Sequence, residues 1–491
     1  MRSSQGRENE AQRRARNSSA DEGLLASRIS RRDVIRYSAG GALLAAGGAF
    51  LAACSSSGSS AGGASAGDAA TGAAASVNPT AGGVLTAEEK QTLLAMASPS
   101  NKKFLGAGTA WNVGGAFPFS GPYQYYQTIE YDALLLATQH IAQLGGPKIK
   151  INQQNFGSNS GVNTQLAVTD MLNFHDSKNG IVISGIQAAL GALIPGAQQY
   201  KILDIDAGAG VGVFAGKDYY WAMRNDYPMN NVAVAMAHAK VATPSARSAV
   251  VVYNSGAAYQ PVLNACVNVV KNAGFTVTGT ATEANGATDW SDAYATIRSQ
   301  NPDIIVLVIN GNDGAYFLKQ FPTTGLKQPV YTFSYSSPQQ KLAGAGFEGI
   351  YVILEDFLPD LPSNDWQKIF TKYYRQEYQD QGTGPSSPFN VSANYYNAGY
   401  VMWELASRVL AKGGDVNDGS QLQDALKEDP SFASIFGGSG TTPGKITFDT
   451  TSHGLSSCPL AVIQIKNQQP TYVGMADAQG DNGAGPLKLG Q

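Results

Sequence analysis

The chain has 491 residues, of which 43% are hydrophobic and 14% charged, and its formal net charge at pH 7 is −3. Residues 1–36 hold nine arginines and five acids, so the remainder carries 25 basic against 32 acidic side chains, near −7. That balance argues against a nucleic-acid partner, which demands a basic footprint, and the length is enough for two lobes.

In chain order the first signal is Ser30-Arg31-Arg32-Asp33-Val34-Ile35-Arg36, followed by seventeen uncharged residues, Tyr37 to Ala53. Then come Leu51-Ala52-Ala53-Cys54 and a run of Ser and Gly. This resembles a twin-arginine export signal joined to a bacterial lipobox, which implies a signal peptide over 1–53 and a lipid on Cys54. Val34-Ile35 stands where the twin-arginine pattern has an aromatic or leucine pair, so the general secretory route stays open. The arginines remain on the negatively charged inner face while the short apolar run enters the membrane. Small residues before Cys54 admit a peptidase, and each buried CH₂ of an acyl chain contributes about 0.8 kcal/mol of anchoring. With Cys54 acylated, Cys266 and Cys458 could form one disulfide in an oxidising compartment or stay as two buried thiols.

Residues 54–100 read as a flexible tether, because 55–80 are almost all Ser, Gly, Ala and Thr and bury too little apolar surface to fold. Fully flexible, such a stretch would span roughly 35–40 Å root-mean-square. Ala87–Ala97 has the composition of a short helix within it, with Thr86 as N-cap. The folded part is expected from about Phe104.

From there strands alternate with amphipathic helices. A helix over Tyr131–Leu144 puts Leu134, Leu135, Thr138 and Ile141 on one face. Strands follow at Lys148–Asn152, Gly180–Ser184 and Lys201–Ile205, then at Ser248–Tyr253, Phe275–Thr280, Asp303–Ile309 and Pro329–Phe333. Helices at Trp366–Tyr378 and Ala393–Ala411 precede strands at Lys445–Phe448 and Pro459–Ile465. Short apolar runs with helices between them mean parallel-rich sheets covered on both faces. Two such series predict an α/β protein of two Rossmann-like lobes. Ligands of such sheets sit beyond the carboxyl ends of the strands, here 119–126, 185–191, 206–212, 254–259, 310–314 and 333–337.

Several segments together are similar to the type I periplasmic solute-binding proteins of branched-chain amino acid ABC transporters. They are Phe119-Ser120-Gly121-Pro122-Tyr123 with Tyr126, Gly145-Gly146-Pro147-Lys148-Ile149, Tyr253 to Tyr259, and Gly286-Ala287-Thr288-Asp289-Trp290-Ser291. Asn301-Pro302-Asp303, leading through Asn312-Asp313-Gly314 to Phe317-Leu318-Lys319-Gln320, is the most specific. The resemblance runs from about Phe104 to Val473. It implies lobe I over 101–226 and 354–446, lobe II over 227–353 and 447–475, a tail over 476–491, and a three-segment hinge. It also implies a small-molecule ligand between the lobes, read in the closed form by an ABC permease and its ATPase outside the cytoplasm. A ligand sensor that presents its closed form to a membrane receptor would have the same fold.

What the resemblance implies for the site is partly unmet. The Ser pair that holds an amino acid carboxylate corresponds to Ala188 and Ala189. The Thr after the next strand corresponds to Ala209, in Asp206-Ala207-Gly208-Ala209, and the lobe II acid for the amine corresponds to Ser334. Backbone N–H groups near Ala189 and Ala209 could still donate. Tyr126 and Tyr259 fall at cleft-lining aromatic positions and Asn310 where another Tyr is common. Ser120, Gln187, Ala207 and Tyr335 lie on cleft-side loops. A zwitterion with no partner for its ammonium would be costly to bury, so a neutral, amide-bearing or aromatic solute fits better than an α-amino acid. Asp206 could pair with a cation or cap its own turn.

Other motifs carry no chemistry. Gly210-Val211-Gly212-Val213-Phe214-Ala215 fits G-x-G-x-x-A, but 228–240 lack the acid a dinucleotide would need. Gly216-Lys217 is followed by Asp218, so there is no P-loop. His140, His175, His238 and His453 are scattered, with no metal-ligand spacing, and Gly157–Gly161 lacks the Ser of a nucleophile elbow. No cofactor, metal or catalytic constellation is expected.

Overall fold

The computed structural model describes residues 83–101, 109–120, 130–158, 161–185, 190–208, 216–224, 228–255, 260–284, 286–309, 311–333, 335, 337–378, 388, 390–478 and 483–489. Helix α1 (Ala87–Ala97) starts at Thr86, whose hydroxyl accepts from Glu89 N while the Glu89 carboxylate accepts from Thr86 N, a complete capping box. Leu93 and Met96 of α1 and Leu85 before it are buried in a large apolar core. Residues 85–97, expected to lie within the tether, are therefore part of the fold. Leu93 and Met96 give α1 an apolar face that the preceding Ser/Gly run lacks.

That core is built by lobe I. Its elements are β1 (Ala110–Phe117), α2 (Asp132–Gln143), β2 (Lys148–Asn155) and the small ribbon β3 (Gly157–Ser158) and β4 (Gly161–Val162). Next come α3 (Thr164–Asp176), β5 (Ile181–Ser184), α4 (Leu190–Tyr200), β6 (Leu203–Asp206) and β7 (Tyr220–Ala222). The sheet order is β2-β1-β5-β6-β7, all parallel. β5 and β6 are buried at every position, as a sheet covered on both faces requires.

Lobe II repeats the pattern with α5 (Pro228–Ala242), β8 (Ser248–Ser255), α6 (Gln260–Asn272), β9 (Thr276–Ala284) and α7 (Ser291–Gln300). It continues through β10 (Ile304–Leu307), α8 (Gly311–Gln320), β11 (Val330–Thr332), α9 (Ser337–Ala343) and β12 (Tyr351–Glu355). Here β9-β8-β10-β11-β12 run parallel, with separate apolar cores on the two faces.

The chain then returns to lobe I as α10 (Asp365–Tyr378), α11 (Asn390–Ala411), α12 (Gly419–Glu428), β13 (Ser431–Ser439) and β14 (Thr442–Phe448). Trp366, Phe370, Tyr396, Trp403 and Phe448 complete the lobe I core. Strand β15 (Leu455–Lys466) pairs antiparallel with β14 and then with β12. It is followed by β16 (Gln469–Ala478) and β17 (Lys488–Leu489), which pair in the lobe II sheet.

Two expectations are corrected. The third crossover lies inside β15 rather than at 446/447: Leu455 and Cys458 pack in the lobe I core, and Leu460 and Val462 in lobe II. The expected tail from 476 carries the end of β16 and strand β17, because Ala476, Ala478 and Leu487 pack on the lobe II core. Of the two alternatives for Cys266 and Cys458, the structure has two buried thiols, Cys458 in the lobe I core and Cys266 in the lobe II core.

Candidate functional site

The carboxyl ends of the lobe I strands bring Ser120, Gly185 and Ala207 to one edge of the sheet. Ser120 follows β1, and its hydroxyl accepts from Asn155 Nδ2 at the end of β2, 3.3 Å away. Asn155 Oδ1 accepts from Phe119 N and Gly157 N, which fixes this loop. Ala207 follows β6, is fully buried, and donates its N–H to the Ser184 carbonyl.

Beneath these loop bases lies a set of buried carboxyls. Asp206 Oδ1 accepts from Gly208 N at 2.8 Å, so Asp206 caps the turn that follows it. Asp204, two residues earlier on the same face of β6, accepts from Ser184 Oγ at 2.6 Å. Burial pushes the Asp204 carboxyl up to about 7, against the lowering effect of Ser184. Glu130, just before α2, is raised well above the usual carboxyl range by burial first and by the Asp206 charge second. Its neighbour Tyr395, on α11, donates to the Ser184 carbonyl and is the hydrogen-bond partner of Glu130. Both pack against the bare α-carbon of Gly185: a Cβ there would stand 2.5 Å from Glu130 Oε2 and closer still to the Tyr395 hydroxyl. Glycine is required because no side chain fits between the strand end and these two groups.

Arg224, in the first crossover, pairs with Glu355 at the end of β12, 3.5 Å apart. Glu355 is wholly buried and accepts from Asn390 Nδ2 and Asn394 Nδ2 of α11, each at 2.9 Å. Two crossover segments are thus tied to each other and to lobe I.

On the lobe II edge, Asp313 stands in the first turn of α8. Its Oδ2 accepts from Asn254 Nδ2 at the end of β8 and from Gly286 N after β9. One carboxylate therefore fixes the bases of two loops. Tyr335 lies here too, with its ring edge-on to Phe347 and its hydroxyl donating to Gln340 of α9, so that hydroxyl is engaged inside lobe II.

Of the positions singled out in the sequence, Ser120, Ala207 and Tyr335 are placed by the structure. Tyr126, Gln187, Ala188, Ala189, Ala209, Tyr259, Asn310 and Ser334 lie outside the described residues, as do Cys54, Arg31-Arg32 and the 210–215 glycine motif. Glu130, Asp204, Glu355 and Asp313 were not singled out for the site. Only Asp313 had a local signal, the Asn312-Asp313-Gly314 motif. The four histidines are separate. His140 bonds Tyr396 and is pushed down to about 3 by burial. His238 bonds Tyr331 and is lowered by burial to about 4. His175 stacks on Tyr200, and His453 on Trp221. Among the described residues no helix is long and apolar enough to cross a membrane.

A family model described as periplasmic binding protein matches residues 110–470. Solved structures share the fold. One is a candidate branched-chain amino acid ABC transporter protein from Rhodospirillum rubrum, 17% identical, covering 74% of this chain and 100% of that one with a TM-score of 0.60. The leucine-binding protein LivK of Thermotoga maritima is 17% identical, covering 76% and 99%, with a TM-score of 0.57. An R. palustris solute-binding protein in complex with 4-hydroxybenzoate is 16% identical, covering 76% and 98%, with a TM-score of 0.58.

Proposed function

The chain belongs to the periplasmic binding protein family, and from that premise we propose that it is a lipid-anchored extracytoplasmic protein that captures a small solute between its lobes and delivers it to an ABC importer. The observation that carries this reading is the pair of parallel sheets, with carboxyl strand ends at Gly185 and Ala207 in lobe I and at Asn254 in lobe II, joined by crossovers that the Arg224–Glu355 pair ties together. Such a hinged pair closes on a ligand that touches both lobes.

The proposed ligand is a neutral, amide-bearing or aromatic solute. Asp206 is engaged by its own turn, Arg224 by Glu355, and the positions corresponding to carboxylate and amine ligands are Ala188, Ala189, Ala209 and Ser334. Binding of 4-hydroxybenzoate by an R. palustris protein of the same fold is in line with an aromatic solute. A thermal-shift screen of amides, aromatic acids, polyamines and amino acids tests the reading. Ligand at a hundredfold excess over Kd adds about 2.7 kcal/mol of stability. Absence of any shift across the screen would count against it. Replacing Cys54 with Ser is expected to release the protein from the membrane fraction of the producing cell.

A further inference from the structure

The second crossover opens with two consecutive acids, Glu355 and Asp356, both with no exposed surface. Successive residues of extended chain face opposite sides. Glu355 turns to Arg224 and to α11 of lobe I. Asp356 turns the other way and divides its two oxygens between the lobes. Its Oδ2 accepts from Ser363 Oγ and from Gly437 N of β13, both at 2.8 Å and both on lobe I. Its Oδ1 accepts from the Tyr472 hydroxyl at 2.6 Å. Tyr472 sits on β16, and its ring packs on the lobe II core.

The two sides are unequal. The lobe I side holds Asp356 by two bonds, one to a backbone N–H that cannot move without moving β13. The lobe II side holds it by one bond through a phenol. A buried hydrogen bond to a charged acceptor is short and strong, and losing it leaves part of a buried charge unsatisfied. A rotation of lobe II about the crossovers changes the Tyr472–Asp356 distance first, because Ser363 and Gly437 travel with Asp356.

We propose that the Tyr472–Asp356 hydrogen bond is a conformational latch: it holds lobe II in the orientation seen here and so sets how the free protein divides between lobe arrangements. Neither residue belongs to the candidate site, so the latch adjusts apparent affinity without touching the solute. The inference rests on the reading that the lobes move about the crossovers. A variant that weakens the latch changes the population of the binding-competent form, and the observed Kd follows that fraction.

Tyr472→Phe tests it, because the ring stays and one hydroxyl goes while Ser363 and Gly437 still hold Asp356. Spin labels at Asp176→Cys in lobe I and Lys271→Cys in lobe II, both exposed positions, report the interlobe distance. Cys54→Ser is carried in every chain, and native Cys266 and Cys458 are buried. In the ligand-free protein, Tyr472→Phe is expected to change the ratio of distance populations about tenfold. Asn394→Ala removes a bond from the neighbouring Glu355 on the lobe I side and is expected to lower the melting temperature with the distances unchanged. Two results overturn the latch: unchanged distances in Tyr472→Phe with only a lower melting temperature, or an equal redistribution in Asn394→Ala. The measurement needs no solute, so a screen that finds no ligand would reject the transport reading and leave this one standing on its own data.

Discussion

Trp221 and His453 stack face to face, with ring centroids 4.0 Å apart and planes 9° from parallel. The pair joins the last strand of the lobe I sheet to the turn between β14 and β15. His453 Nδ1 lies 2.8 Å from the Lys217 carbonyl, and the His453 carbonyl accepts from Ala222 N. The turn is held against β7 just before the chain leaves for lobe II.

His453→Ala removes the stack and the ring hydrogen bond while keeping the backbone pairing. A loss of about 2 kcal/mol is expected from the two terms together. Urea denaturation of the two proteins measures it. An unchanged midpoint would mean that the backbone pairs alone hold the turn.

Gly185→Ala places a methyl against Glu130 and the Tyr395 hydroxyl. Overpacking of this kind costs about 1–3 kcal/mol. Tyr395→Phe removes one of the two obstacles, so the double variant should lose less than the sum of the single losses. A double-mutant cycle by chemical denaturation reads the coupling, and strict additivity would contradict the geometry.

Asp204 is held up to about 7 by burial. Its folded-state value lies above that of an unfolded chain, so its contribution is fully present below about pH 4 and is lost as pH rises through about 7. Asp204→Asn keeps the carbonyl that accepts from Ser184 and cannot ionise. The variant should match the wild type near pH 4 and melt at a higher temperature at pH 8. Equal melting differences at both pH values would assign the effect to packing instead.

Glu89 behaves in the opposite sense. Burial raises its carboxyl, but hydrogen bonds from Lys372, Tyr373 and Thr86 outweigh that and hold it down to about 2. The contribution is present above about pH 4.5 and is lost as pH falls through about 2. Lys372 Nζ lies 2.7 Å and the Tyr373 hydroxyl 2.6 Å from this carboxylate, which fastens α1 to α10. Glu89→Gln should speed amide exchange over 87–97 at neutral pH and leave β5 and β6 protected. Unchanged exchange over α1 would show that Leu93 and Met96 suffice to hold it.

The apolar runs of β8, β10 and β11 are visible in the sequence because parallel strands buried on both faces need little else. Strand β1 was missed because Ala110–Phe117 contains Gly114 and Gly115, which weaken a strand. The fold needs both: a Cβ on Gly114 would stand 2.6 Å from Val182 Cγ2, and one on Gly115 2.6 Å from Ile151 Cγ2. That requirement is set by neighbours far along the chain. The crossing inside β15 was missed for a similar reason, since one continuous apolar strand serves two cores. At the site, Ser120 and Ala207 could be placed because strand ends are local features. The partners of Glu130 and Glu355, Tyr395 and Asn394, come from α11, and no local pattern announces them.

The docking of α1 on lobe I has a mechanical consequence. Tension on the chain ahead of residue 83 enters the fold at Val84 and Leu85, spreads through Leu93, Met96 and Lys372, and is borne by one lobe. The contacts that anchor α1, through Leu85, Glu89, Leu93, Met96 and Lys372, are distinct from the Arg224–Glu355 and Tyr472–Asp356 pairs of the crossovers. A force applied ahead of residue 83 is expected to load lobe I before it reaches the crossovers.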